Sequence, residues 1–256
     1  MSRSVAIVTG SSSGIGRATA IRLSRDFSAV VLAARNAAQL GEVAGQVRAN
    51  GAEALALDLD LMAPTAAEAV VSQTLAKFGR IDALLNIAGA VPGIDLFQMT
   101  DEQWNAGAEL KLHGARRLTL RAWDALKAAK GTVVFISGNS AEVPTASAAA
   151  VGVINAAIVA LAKAFADRGL KDGVQVNSVS PGPVMTGRRL SMIEKWALTH
   201  KVGIDEAKQR LLTQAGIGRY GEPEDIAALM AFLASPAARW MMGAQLRIDG
   251  GEVKSI

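Results

Sequence analysis

Seven short apolar runs divide this chain, and most give way to a segment whose apolar residues follow helical spacing. "SVAIVTG" precedes "GIGRATAIRLSRD", "AVVLAAR" precedes "AAQLGEVAGQVRAN", and "EALALDL" precedes "PTAAEAVVSQTLAKFG". "IDALLNIAG" leads to a helical region from Asp101 to Lys127, "GTVVFISG" to residues 148 to 168, and "VQVNSVSPG" to a loop with further helices. "QLRIDGG" closes the series. The runs are apolar at nearly every position rather than at alternate ones, as strands must be when helices cover both faces of a parallel sheet. The economical fold is α/β: a Rossmann-type doubly wound parallel sheet of about seven strands. An eight-stranded barrel would need another βα unit and gives no reason for the glycines after the first strand. No repeat, low-complexity tract or proline-rich linker breaks residues 1–256, so they read as a single domain.

Those glycines lie in "TGSSSGIG", Thr9 to Gly16, between the first strand and the first helix. Gly10 permits a tight turn, Gly14 lets the backbone approach a pyrophosphate, and Gly16 lets the helix pack close. The helix N-terminus then offers free N–H groups to phosphate oxygens. A glycine-rich turn alone is weak evidence, since it also serves purely structural bends.

Composition excludes several classes of function. The 27 basic and 23 acidic residues are dispersed, and the net charge of +4 is too small for a nucleic-acid footprint. With no cysteine, disulfides, thiolate nucleophiles and Cys-based metal sites are removed together. The only histidines, His113 and His200, make no His-rich metal site. "VAIVTG" is too short for a signal-peptide core, and the weakly polar run near 148 to 162 falls below the ~20 residues that span a bilayer. The expectation is a soluble cytoplasmic protein without membrane or nucleic-acid partners.

Beyond "TGSSSGIG" the chain carries "NIAG" at 86 to 89, "VQVNSVSPGPV" at 174 to 184, "GRYGEPEDIAALMAFLAS" at 218 to 235 and "GAQLRIDGG" at 243 to 251. With these it resembles the short-chain dehydrogenase/reductases along its whole length. The resemblance implies a Rossmann-type domain holding NAD(P)(H), oxidoreduction of a small carbonyl or alcohol compound, and a homotetramer or homodimer. It places Gly10, Ser12, Ser13, Gly14, Ile15 and Gly16 on the cofactor, with Asp58 and Leu59 at the adenine. Asn86, Ala88 and Gly89 fall beside the adenosine ribose, and Pro181, Gly182, Val184 and Thr186 at the nicotinamide carboxamide. Relatives that prefer NAD carry an acid at the end of the second strand, where "LAARN" has Ala34 and Arg35. Arg35 is suited to pair with a 2′-phosphate, so NADP(H) is favoured over NAD(H), although a solvated arginine is the plainer reading.

The resemblance also implies a serine, a tyrosine, a lysine and an asparagine for proton handling. A phenol of pKa near 10 does such work at neutral pH only beside a cation. Aligning "FISG" and "NAAIVALAKAFA" on that pattern puts Gly138 at the serine, Val151 at the tyrosine, Asn155 at the lysine and Lys111 at the asparagine. The one tyrosine, Tyr220, stands in "GRYGEPED", outside the chemical positions. The amine and the amide have exchanged places, which either keeps an amine in the pocket or leaves Lys111 reaching solvent from its helix. Ser137, Asn139 and Ser140 can bond a ligand or simply satisfy a strand end.

Residues 186 to 216 correspond to the substrate loop. It carries Arg188, Arg189, Lys195, His200, Lys201, Lys208 and Arg210 against Glu194, Asp205 and Glu206, fitting an anionic ligand or a solvated helix pair. His200 is its one side chain poised near neutral pH, and so joins Lys111 as a candidate acid/base. The helix from Ala148 to Ala166, with few charges before Lys163, is expected to pack against a partner subunit. Two functions follow: a divergent oxidoreductase, or a non-catalytic dinucleotide-binding pseudoenzyme acting as cofactor sensor or silent subunit.

Overall fold

The computed structural model describes residues 4–255. Strands β1 (Val5–Thr9), β2 (Ala29–Ala34), β3 (Glu53–Asp58), β4 (Ala83–Asn86), β5 (Thr132–Ile136), β6 (Gln175–Pro181) and β7 (Gln245–Ile248) form one sheet in the order β3-β2-β1-β4-β5-β6-β7. All the pairings are parallel. Every residue of β1, β2, β4, β5 and β6 is buried, which is why their sequences show no alternation.

Helices α1 (Gly14–Leu23), α2 (Ala37–Ala49) and α9 (Pro223–Ala234) cover one face, with Leu23, Leu40, Val43 and Met230 packed on Ala6, Val8, Val30 and Leu32. The other face carries α3 (Ala66–Phe78), α5 (Ala115–Ala129) and α6 (Ala149–Asp172), with Val70, Leu118, Leu126 and Ile158 on Ile7, Val31, Leu84 and Phe135. Each fully buried Leu, Ile or Val contributes roughly 1.5–3 kcal/mol against backbone ordering entropy.

Between α4 (Asp101–Ala108) and α5 the expected single helix is broken by a π-turn, Glu109–Gly114. A π-turn adds a residue to one turn and re-aims what it carries, and such turns recur at functional sites. Nothing in a 3.6-residue pattern announces it. The segment Ala146–Asp172, which includes α6, is long and apolar enough to cross a membrane by length and composition alone. Its inner residues Ile158, Ala162 and Ala166 are instead part of the sheet core. In the expected substrate loop, α7 (Gly187–His200) and α8 (Ile204–Ala215) pair through a small core of Ile193, Ala197, Ala207 and Tyr220.

The strand order reverses between β1 and β4, and Thr9 fastens that point. Its Oγ1 accepts from the N–H groups of Ile87 (2.9 Å) and Ala88 (3.0 Å) and donates to the Leu85 carbonyl. At the far end, Asp82 accepts from the Val5 N–H at 2.8 Å while Arg80 grips both carboxylate oxygens. The open crevice at the β1/β4 switch point follows from this topology.

Two glycines test the packing in opposite senses. A Cβ on Gly169, near the end of α6, would lie 2.1 Å from the Val174 carbonyl, so Gly169→Ala should destabilise by roughly 1–3 kcal/mol. A Cβ on exposed Gly45, inside α2, meets nothing within 4 Å, so Gly45→Ala should stabilise by roughly 0.5–1 kcal/mol. Urea unfolding of both variants checks the pair.

Candidate active site

A cleft of about 700 Å³ opens at the C-terminal ends of the central strands. Its floor is the glycine turn. Gly10 and Gly14 have φ of +66° and +51°, and a Cβ on Gly16 would fall 2.1 Å from the Gly10 carbonyl. These are backbone positions that L side chains resist. The first turn of α1 holds no acid, and the Ser13 side chain caps none of its N–H groups. The turn therefore presents uncapped donors and the positive end of a helix dipole, the arrangement that receives a phosphate.

Most of the expected cofactor positions lie together here. Ser12, Ser13, Ile15, Arg35, Leu59, Ala88 and Gly89 line the cleft, as do Pro181, Gly182, Val184 and Thr186. Asp58 is exposed at the end of β3, while its neighbours Leu59 and Asp60 turn into the wall. Asn86 is buried, and its amide donates to Thr119 Oγ1 of α5 at 3.1 Å instead of reaching the cleft. Asp60 was not anticipated; the turn that follows β3 selects it, and no spacing rule marks that turn in advance. Arg35 stands exposed at the rim with no carboxylate partner among the described residues.

The π-turn settles where Lys111 points. Its Nζ donates to Asn155 Oδ1 at 2.5 Å and to the Ser137 carbonyl at 3.0 Å, within the cleft wall. Asn155 Nδ2 in turn donates to Ser140 Oγ at 2.8 Å, and Ser137 Oγ donates to the Asn155 carbonyl at 2.8 Å. Glycines make the room: a Cβ on Gly138 would sit 2.6 Å from Asn155 Nδ2, and one on Gly89 would sit 3.0 Å from Lys111 Cδ. Val151, one turn before Asn155 on α6, lines the same wall and offers no exchangeable proton.

Burial lowers the Lys111 ammonium from its ordinary 10.5 to about 7, and the positive charge of Arg188 adds to the effect. Lys111 therefore changes protonation near neutral pH inside the cleft, a property that general acid/base work requires.

His200 is corrected. It is exposed at the end of α7, its ring stacked 3.8 Å from that of Trp196 and its Nδ1 2.8 Å from the Trp196 carbonyl. It does not line the cleft, because α7 turns Arg188, Arg189 and Met192 inward and leaves its last turn outside. Tyr220 is also spent elsewhere, donating its hydroxyl to the Lys208 carbonyl at 3.2 Å. Ser137 and Ser140 bind Asn155, and Asn139 donates to Glu252.

The doubly wound sheet, the glycine turn at its switch point and the crevice above define a dinucleotide-binding protein of the Rossmann type. Residues 10–252 match the family described as enoyl-(acyl carrier protein) reductase. A 3-oxoacyl-[acyl-carrier-protein] reductase of Synechocystis is 31% identical over 97% of this chain and 96% of its own length. L-sorbose reductase from Gluconobacter frateurii, solved with NADPH and L-sorbose, superposes with a TM-score of 0.95 at 28% identity, over 100% of this chain and 98% of that one. A mutant short-chain dehydrogenase/reductase of Serratia marcescens gives a TM-score of 0.86 at 31% identity, with 97% of each chain covered. The chain belongs to the short-chain dehydrogenase/reductase family.

A lysine whose folded pKa lies below its unfolded one binds fewer protons when folded, through the window from about 7 to 10.5. Stability then rises with pH across that window. Relative to Lys111→Met, the wild type should gain on the order of 2–4 kcal/mol between pH 7 and pH 10, the range allowing for solvent at the cleft. Thermal unfolding of both proteins at a series of pH values reads the slope; parallel curves would refute the shift.

Proposed function

We propose that this protein is an NADP(H)-dependent carbonyl/alcohol oxidoreductase in which Lys111 manages the proton that a tyrosine manages in the family pattern. The observation that carries the reading is the Lys111–Asn155 hydrogen bond in the wall of the same cleft that the glycine turn floors. On this reading Gly138, Val151, Asn155 and Lys111 replace the serine, tyrosine, lysine and asparagine. A nicotinamide held in this cleft would supply the hydride chemistry at the substrate carbon.

The glycine turn and the first N–H groups of α1 would hold the diphosphate, and Arg35 the 2′-phosphate. The NADPH complex of the sorbose reductase supports that choice of cofactor. Thr186 closes the turn from the far side: its methyl lies 3.1 Å from where a Gly14 Cβ would be. In the direction of reduction, the Lys111 ammonium donates from Nζ to the developing alkoxide oxygen. Asn155 Oδ1 holds that ammonium in place, and Asn155 Nδ2 anchors the amide on Ser140. In oxidation the neutral amine takes the proton back. Residues 186–216 would form the substrate-facing cap, and the exposed Val153 and Leu170 of α6 with Leu120 of α5 the contact between subunits of a homodimer or homotetramer.

The second reading is a dinucleotide-binding protein without turnover, favoured by one observation: Val151 is apolar and Tyr220 is committed outside the cleft. Returning Val151→Tyr with Asn155→Lys alone would set a second ammonium against Lys111, so reversion also needs Lys111→Asn and Gly138→Ser.

Purified protein titrated with NADPH and screened against carbonyl compounds and alcohols separates the two. Turnover should fall about 10²–10⁴-fold in Lys111→Met. Binding without turnover in the wild type, and activity appearing only in the fourfold reversion, would establish the second reading. Arg35→Ala should weaken NADPH about 10- to 100-fold while NADH changes little, since one charge-assisted contact is worth roughly 1.5–3 kcal/mol. Equal losses for both dinucleotides would make Arg35 structural.

A further inference from the structure

Three cations line the cleft close enough to act on one another. Arg188 and Arg189 line it from the first turn of α7, and Lys111 lines it from the π-turn. Their charges act on one another: Arg189 lowers the pKa of Arg188, and Arg188 lowers that of Lys111. Among the described residues, neither arginine makes an ion pair. The Arg188 guanidinium donates to the Val91 carbonyl, and Arg189 feels Glu252 and Tyr220 only at longer range. Glu252 accepts from Asn139 and does not line the cleft; the acid that does, Asp60, belongs to the β3 side with Leu59.

Nothing in the folding of α7 asks for this arrangement. Two positive residues in a first turn that holds no acid oppose the helix dipole. Desolvation lowers both guanidiniums, although Arg188 remains exposed and only Arg189 is half-buried. Arginines held apart from carboxylates along a cleft wall are free to grip one bidentately from a ligand.

We propose that Arg188 and Arg189 form an anion subsite for the substrate, so that the protein acts on carbonyl compounds bearing a carboxylate or phosphate, and on the corresponding alcohols. This rests on the oxidoreductase reading above. The same chemistry is present in the cofactor diphosphate, but the first turn of α1 and Arg35 already face that molecule. Arg188 acts instead on Lys111, where the reacting oxygen belongs. An anion beside Arg188 also offsets the field that depresses Lys111, favouring the protonated amine when an oxo compound arrives.

The test uses full-length protein saturated with NADP⁺, which cannot reduce a carbonyl and so holds it without reaction. Calorimetry first gives the NADP⁺ affinity of the wild type, of the double variant Arg188→Gln with Arg189→Gln, and of Arg188→Lys. Each loaded protein is then titrated with acetoacetate, pyruvate, 2-oxoglutarate and dihydroxyacetone phosphate, and with methyl acetoacetate as the neutral control. The proposal expects at least one anionic probe to bind the wild type at least tenfold more tightly than the double variant. Arg188→Lys should recover part of that loss, methyl acetoacetate should not distinguish the proteins, and NADP⁺ affinity should change by less than threefold.

Equal affinity of the wild type and the double variant for every anionic probe, or no binding of any anionic probe at 10 mM, would overturn it. A tenfold loss of NADP⁺ affinity in the double variant without an effect on the probes would assign the arginines to the cofactor diphosphate. Failure of NADP⁺ to bind the wild type at all would strike the oxidoreductase reading itself, a separate result.

Discussion

A missing methyl group at Gly16 governs how the functional half of this molecule is assembled. The helix α1 passes so close to the turn leaving β1 that a Cβ there would overlap the Gly10 carbonyl. That approach fixes the axis of α1, and with it the direction in which its first N–H groups point. Thr9, immediately before the turn, ties β1 to the chain leaving β4 through three hydrogen bonds from one hydroxyl. The floor of the cleft and its two nearest walls are therefore one rigid unit. Widening the turn by a single carbon would tilt α1 and spread the switch point together.

The cleft wall opposite is organised by the hydrogen bond from Lys111 to Asn155. A lysine at 111 and an amide at 155 retain one cation and one two-way hydrogen-bonding group, which is the chemical content the family pattern also places there. Moving the amine onto the π-turn reverses the direction of the link, so that Lys111 donates across the wall to α6. Asn155 can accept from the ammonium and still donate to Ser140, which a lysine at 155 could not do. The glycine at 138 belongs to the same change, because any side chain there would press on the Asn155 amide. Lys111, Asn155 and Gly138 thus form a single packing solution, and Val151 is not required by it.

Much of the fold was legible because burial on both sides of the sheet removes alternation from its strands, leaving apolar runs that stand out. The glycine turn was legible for the related reason that backbone crowding permits few residues. The π-turn was not, since its extra residue disturbs only one turn of an amphipathic helix. That turn decides whether Lys111 faces protein or water, and so the sequence left both readings open. Motif position specifies backbone location, while the side chain of Asn86 answers to Thr119 on a helix more than thirty residues away. His200 was chosen on ionisation alone; α7 carries its arginines to the cleft and its histidine to solvent.

The electrostatics of the cleft explain how an amine could stand in for a phenol. A neighbouring positive charge lowers the pKa of either group, since in both cases it favours loss of the proton. For a phenol, deprotonation creates an anion that the cation then holds. For an ammonium it removes a like charge. Arg188 therefore acts on Lys111 in the sense in which the family's lysine acts on its tyrosine, with burial supplying the larger part. The difference lies in how the field responds to substrate. An anionic ligand at Arg188 would raise Lys111 towards its protonated form, loading the proton donor as the oxo compound binds. In the reverse direction the anionic alcohol would also favour the protonated amine, so the coupling would serve reduction. On the proposed reading, a proton carrier built from cations would be coupled to substrate charge through the first turn of α7.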